Sequence, residues 1–277
     1  MKKFLMITFT VLVILCAALT ILFMLCFYGN PISKFLATKA IKAHLSENYS
    51  DTDYKLGNVQ YDFKFGNYFA HVIYPESFDK GFIVTSSPDG KSVTDDYEWR
   101  VTERWNTSNR IYDTYNTALG NALSKDFSHY FDILYGSIIY ADEMYEDDLI
   151  IPEGALARKE LTLDGEYNEE TVSAMGAASG IIVIYVDAEV VTSEKMAEIL
   201  LDIKEVLDSN GVGFYYVDAV LGYEEGEDGT QREGRVEVRH FKYADIYPDG
   251  LAERVAAANA AAEEYYKEQD KIKLDGE

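Results

Sequence analysis

Cysteine is nearly absent from this chain. Its two cysteines, Cys16 and Cys26, both fall in the first 28 residues, and roughly 250 residues follow without one. A disulfide-stapled scaffold is therefore excluded beyond residue 28, and so is any thiolate metal site. A thiol-free domain is also at ease outside a cell, where stray thiols oxidise. Basic residues are scarce too: 25 Lys and Arg face 48 Asp and Glu, a net charge of −23. Nucleic-acid phosphates demand a basic patch, so nucleic acid is not an expected partner. The simplest consequence of this charge is solubility and a well-solvated surface.

Catalytic signatures are missing as well. The four histidines, His44, His71, His129 and His240, lie far apart in sequence, with no His-x-x-x-His spacing. There is no Gly-x-Ser-x-Gly. Ser86-Ser87 lies beside a turn and needs no chemistry to explain it. Gly176 and Gly180 precede a strand rather than joining strand to helix, so they do not make a phosphate loop. With 48 acidic residues, accidental carboxylate neighbours are guaranteed and carry no signal. The expectation is no catalytic residue, no cofactor and no metal.

One long uncharged run stands out, from Phe4 to Tyr28. At ~1.5 Å per helical residue it reaches roughly 37 Å, against ~30 Å of bilayer hydrocarbon. The rival reading is a cleaved signal peptide, but that apolar core is usually only ~7–15 residues long, and no small-residue cleavage site follows. Leu15 and Leu25 precede the two cysteines, where a lipoprotein acceptor would want a small residue. Residues 1–28 are thus expected to be a single membrane anchor. Lys2 and Lys3 favour a cytoplasmic N-terminus, although Lys34, Lys39 and Lys42 lie close on the far side. The expected location is the cell membrane, crossed once, with the bulk of the chain extracytoplasmic.

The rest has ample material for a core: 48% of the chain is hydrophobic and 22 residues are tyrosine. Asn30-Pro31 reads as a helix cap followed by proline at the first helical position. Leu36, Ala40, Ile41, His44 and Leu45 then recur on one face. Val59, Tyr61, Phe63 and Phe65 alternate with polar neighbours, Gly66-Asn67 signals a two-residue hairpin, and Tyr68 to Tyr74 continues the alternation. A third strand is expected near Gly81–Ser86. Pro88-Asp89-Gly90 turns the chain into a fourth, from Lys91 to Asp95. Residues 29–96 therefore read as a helix on one face of an antiparallel meander.

That helix, with a last hairpin carrying Asp89-Gly90-Lys91-x-Val93, resembles the PepSY-type modules of bacterial envelope proteins. The whole chain, an anchor plus an acidic, tyrosine-rich remainder, resembles the YfjL-like membrane proteins of Gram-positive bacteria. The resemblance implies a binding, inhibitory or sensory domain on the outer face of a membrane, and no catalytic residues.

Residues 97–150 read as a connection: a helix over 97–124 with Val101, Trp105, Ser108, Tyr112, Tyr115 and Leu119 on one stripe, then a strand over 130–140. Asp142, Glu143, Glu146, Asp147 and Asp148 form an acidic cluster without the spaced ligands and central glycine of an EF-hand, so a solvated loop is favoured over a weak calcium site. Residues 151–277 read as a second α+β unit. Ile181 to Val191 is apolar enough for a central strand. Thr192 or Ser193 caps a helix whose face is Met196, Ile199, Leu200, Ile203 and Leu207, ended by Asn210-Gly211. Phe214–Tyr223 and Arg235–Tyr243 pair across an acidic loop. A last helix carries Leu251, Val255, Ala258 and Ala262.

The fold class expected is α+β: one transmembrane helix, then two α+β units with antiparallel sheets. The function expected is a membrane-tethered binding or sensory module of the cell envelope, with an envelope protein or peptide as partner. An envelope hydrolase with a dispersed site and a structural subunit of a membrane complex are the alternatives. Tyr61, Tyr68 and Tyr74 alternate toward the core, which leaves Phe69, His71 and Ile73 on the opposite face as candidate partner contacts.

Overall fold

The computed structural model describes residues 2–49, 53–127, 129, 131–145, 149–223 and 234–275. Contacts divide the chain into two compact units, 1–107 and 108–277.

The first unit opens with α1 (Lys2–Tyr28), long and apolar enough to cross a membrane. Thr8, Thr10 and Thr20 return their hydroxyls to carbonyls four residues back, so these three hydroxyls do not need water. Two residues later comes α2 (Pro31–Asn48), and Asn30 caps it by accepting from the Ile32 amide at 2.8 Å. The buried face of α2 is Ala37, Ile41 and Leu45. Leu36, expected inside, is 40% exposed. One residue is ~100° of helix, so Ala37 takes the inward position and Leu36 looks away from the sheet.

That sheet is antiparallel throughout. It comprises β1 (Lys55–Leu56), β2 (Gln60–Asp62), β3 (Asn67–Ile73), β4 (Phe82–Ser86) and β5 (Val93–Asp95). Strand β3 lies inside, with β1 and β2 on one side and β4 on the other. Tyr68, Ala70, Val72, Phe82 and Val84 meet α2 in one apolar core. The turn at Asp89-Gly90 seats on the helix, because a Cβ on Gly90 would come within 3.0 Å of the Leu36 carbonyl oxygen.

The β2–β3 connection differs from the expected hairpin. Alternation from Val59 to Phe65 predicts one strand and a Gly66-Asn67 turn. Instead β2 stops at Asp62, which pairs with Asn67. The Asp62 carboxylate accepts from the amides of Lys64 and Phe65, and the Gly66 amide donates to the Asp62 carbonyl. An aspartate that offers the backbone these bonds competes with the ladder and wins at a strand end. Phe63 and Phe65 are thereby turned outward, 64% and 70% exposed.

Residues 97–124 are not one helix. Glu98–Thr102 forms a π-helical turn, Arg104 takes φ 65°, and α3 runs from Trp105 to Asp126. On α3 the inward stripe is Ile111, Tyr115, Leu119 and Leu123, while Tyr112, expected there, is 41% exposed.

The second unit is a four-stranded sheet in the order β6 (Phe131–Ile138), β7 (Gly180–Ala188), β8 (Tyr216–Tyr223), β9 (Val236–Lys242). Strand β6, from the segment read as connecting, is thus part of this sheet. The α+β class holds, but the β7–β8 pair is parallel. Helix α5 (Ser193–Ser209) crosses over between them, which is what a parallel neighbour requires. Its cap and face are as the sequence indicates: Thr192 accepts from the Lys195 amide, and Met196, Ile199, Leu200, Ile203 and Leu207 are buried. Helix α4 (Glu169–Ser179), capped by Asn168, has no clear sequence signal. It is short and rich in Ala, Ser and Gly. Gly176 and Gly180 serve close packing there, since a Cβ on Gly180 would lie 2.7 Å from Gly176 and from the Tyr115 hydroxyl. Helix α6 (Leu251–Asp275) buries Leu251, Val255 and Ala262. Of the acidic cluster, Glu146–Asp148 lie outside the described residues, as do 224–233 of the acidic loop.

Both outer strands of this sheet are met by helix-borne asparagines. Asn116 of α3 donates to the Gly136 carbonyl and accepts from the Gly136 amide, both at 2.8 Å, as a further strand would. Asn259 of α6 accepts from the Glu237 amide on β9 at 2.7 Å. Gly136 must be glycine, because a Cβ would run into Leu119 and Tyr115. Replacing Asn116 by Leu strands a buried amide and carbonyl, and should cost about 2–4 kcal/mol in urea unfolding. A loss below about 0.5 kcal/mol would show that the edge does not depend on Asn116.

The tyrosines predict an alkaline limit. Burial pushes the hydroxyls of Tyr49, Tyr115 and Tyr140 well above their usual range. Tyr266 is pushed from 10.0 up to about 12 by burial and by its hydrogen bond to Glu237. Each favours the neutral form in the fold, so its contribution is complete below pH 10 and lost as pH climbs through the raised value. Absorbance of phenolate at alkaline pH should therefore rise in a step that coincides with loss of circular dichroism. Full ionisation of all tyrosines with the fold intact would contradict this.

Candidate functional site

The face of β3 away from the core carries Phe69, His71 and Ile73. Their neighbours Tyr68, Ala70 and Val72 are buried, whereas His71 and Ile73 are exposed and Phe69 is half-buried. The period of two therefore places these three residues as the sequence indicates. The Phe69 and His71 rings meet edge-on at 6.0 Å. Across the strand pairs, Phe69 faces Thr85 and Gln60, His71 faces Ile83, and Ile73 faces Lys55. The result is an apolar row with one imidazole, flanked by an amide, a hydroxyl and an ammonium. Such a surface can take side chains and hydrogen bonds from a peptide. Nothing in it resembles a nucleophile with its base.

What holds this face in place was not visible in the sequence. The Tyr68 hydroxyl accepts from the Asn30 amide at 2.8 Å and donates to the Asn30 carbonyl at 2.9 Å. Gly29, at φ 74°, lies against Tyr61, and a Cβ there would come within 2.8 Å of the ring. The two-residue link from α1 is thus locked onto the sheet that bears Phe69, His71 and Ile73. Tyr68 lines the core as expected, but its one polar atom serves the link. A core tyrosine two residues after a turn gives no signal of that role.

The other histidines are accounted for by acid partners. His44 Nε2 lies 2.6 Å from Asp95, joining α2 to β5. The His240 amide donates to Asp218 at 2.6 Å, where β9 is irregular and His240 takes φ 47°. His129 Nε2 lies 2.9 Å from Asp202, and with Glu198 the three offer ligand atoms within 4.8 Å of one another. This set was missed in the sequence because His129 lies some 70 positions from its partners. An imidazole with carboxylates one helical turn apart could accept a divalent cation. Each group already has a polar partner, however: His129 with Asp202, and Glu198 with Lys195 at 2.9 Å.

Residues 1–97 match the family model described as YfjL-like, N-terminal domain, and residues 115–256 match the YfjL-like C-terminal domain. The chain belongs to the YfjL-like family. A solved structure, that of a DUF5037 family protein from Ruminococcus gnavus ATCC 29149, is similar at 14% identity over 80% of this chain and 98% of that one. Its TM-score of 0.26 is too low to support an argument about fold. No curated protein matches the chain. In this YfjL-like chain the N-terminal match ends ten residues before the boundary of the first compact unit, at Thr107.

The histidine–carboxylate set yields a direct test. Because each member already has a polar partner, chelator should leave the thermal unfolding of the purified protein unchanged. A lowered melting temperature in chelator, restored by zinc in the wild type but not in His129→Ala, would make it a structural metal site.

Proposed function

We propose that this YfjL-like chain is a membrane-anchored, extracytoplasmic binding module of the cell envelope. In this reading α1 is the anchor, with the N-terminus inside. The first unit recognises an envelope protein or peptide through Phe69, His71 and Ile73. The observation that carries the reading is the locked link: Tyr68 fixes Asn30, so the helix that can cross a membrane and the apolar row on β3 form one body. A receptor held this way presents its face at a set height and angle, which reduces the orientational entropy lost on binding a partner in the same membrane. The helix on a meander with Asp89-Gly90-Lys91-x-Val93 supports the PepSY-like comparison, and with it a binding role rather than a catalytic one.

Two measurements test the proposal. Lys91, an exposed side chain of the first unit, is a suitable reporter of sidedness. In wall-stripped cells, Lys91→Cys should react with a membrane-impermeant thiol reagent before lysis. Labelling only after lysis would reverse the orientation. A photoreactive residue at Phe69 or His71 should capture a discrete envelope partner. If both positions give only monomer, and Phe69→Ala is markedly less stable, the row is core and not a recognition surface.

A further inference from the structure

The end of α1 fixes where the bilayer surface lies, and two aromatic residues far along the chain lie beside it. The apolar run of α1 exceeds ~30 Å of hydrocarbon, so its last turn, with Phe27 and Tyr28, falls at headgroup level. The Phe63 ring is 5.3 Å from the Phe27 ring. Phe63 therefore lies at the same depth, and Phe65 is on the same four-residue turn. Both are more than 60% exposed in the protein itself. The first turns of α2 add to this surface. Ile32, Phe35 and Leu36 recur at three-and-four spacing on the face opposite Ala37 and Ile41, and are 70%, 69% and 40% exposed. They follow Tyr28 by four to eight positions and cannot be far from the membrane.

From these positions we infer that the first unit rests on the bilayer through the Phe63–Phe65 turn and the Ile32/Phe35/Leu36 face of α2, so that these residues occupy the headgroup region. The occupant of this surface is lipid, for two reasons beyond exposure. The turn touches the spanning helix itself. Basic residues accompany both parts of the patch: Lys64 is on the turn, and helical spacing puts Lys39 and Lys42 on the same side of α2 as Phe35, all three exposed in a chain whose net charge is −23, which suits anionic headgroups. Lys64 lies over the Phe65 ring at 5.5 Å, an ammonium held where it can meet phosphate while the ring enters the interface. The inference rests on α1 being the anchor, and it holds whichever side of the membrane the unit occupies.

The test uses full-length protein in vesicles of phosphatidylcholine and phosphatidylglycerol, carrying one nitroxide label at a time. Native Cys16, near the middle of α1, in a Cys26→Ser background reports the anchor. Phe63→Cys and Phe65→Cys, with both native cysteines changed to Ser, report the turn. Glu76→Cys, exposed just beyond the other end of β3, reports the solvent. Labels at 63 and 65 should be several-fold less accessible to a water-soluble nickel chelate than the label at 76, and more accessible to oxygen. If 16 is in lipid while 63 and 65 are as wet as 76, the docking is overturned and the anchor stands. If 16 is itself wet, anchor and docking fall together. Dipolar broadening at 65 that vanishes on dilution with unlabelled protein would place a second copy there, and would overturn lipid as the occupant.

Discussion

The geometry of the first unit relative to the apolar helix α1 depends on one phenolic hydroxyl. The link between α1 and α2 is two residues long, and one of them is a glycine at positive φ. Left alone, such a joint would let the sheet swing. Tyr68 prevents this by bonding both backbone groups of Asn30. Two hydrogen bonds at about 1 kcal/mol each bias the joint toward one geometry by roughly thirty-fold, enough to set an orientation without freezing it. Tyr68 is in turn fixed by its place on β3, between Asn67 and Phe69, where alternation points it inward. The orientation of the whole unit is therefore specified by strand register, which slips only at the cost of turning every buried side chain outward.

The second sheet shows how the remaining surface is limited. An open sheet edge is a template for pairing with another chain. Here Asn116 and Asn259 reach from α3 and α6 to the outer strands and use the bonds a new strand would need. Tyr266, by bonding to Glu237, strengthens the same contact between α6 and β9. Strand addition at those positions would require displacing a helix. Contacts on such a sheet are left to the side chains of its open face, where Ile133, Tyr135 and Tyr185 are each more than 40% exposed. Side-chain surfaces select partners by shape and chemistry, whereas strand addition draws mainly on the backbone.

Legibility in the sequence followed from whether a feature was local. The long apolar helix α1, the Asn30 and Thr192 caps, the inward faces of α5 and α6, and the outward Phe69–His71–Ile73 row depend on spacing within a few residues, and all read correctly as structure. The β2–β3 turn failed although it is local, because two signals competed: alternation favoured a longer strand, and Asp62 ended it. The break at Arg104 and the parallel β7–β8 pair failed for another reason. A parallel neighbour is decided by where a crossover helix returns, and no residue pattern within the strands reports that. Helix α4 failed because its small residues, chosen for close approach to Gly213 and Tyr115, lack the apolar stripe that betrays a helix. The Tyr68–Asn30 bond and the His129–Asp202 pair join residues 38 and 73 positions apart, beyond any local signal.

The net charge of the chain taken as a whole opposes any approach to an anionic membrane, but range decides otherwise. At ordinary salt, charges more than ~10 Å from the headgroups are largely screened. The net −23 is thus not the quantity the bilayer sees. In the proposed pose it would see the residues beside the joint, where Lys39 and Lys42 share a helix side with Phe35 and Lys64 lies on the turn with Phe63 and Phe65. Acidic residues elsewhere keep the remainder of the protein soluble and repelled. In the proposed pose, local attraction beside the joint would favour the same orientation of the first unit that the Tyr68 joint imposes sterically. In the proposed pose these two forces act together, and the Phe69–His71–Ile73 row lies on the same strand as the Tyr68 that fixes the joint.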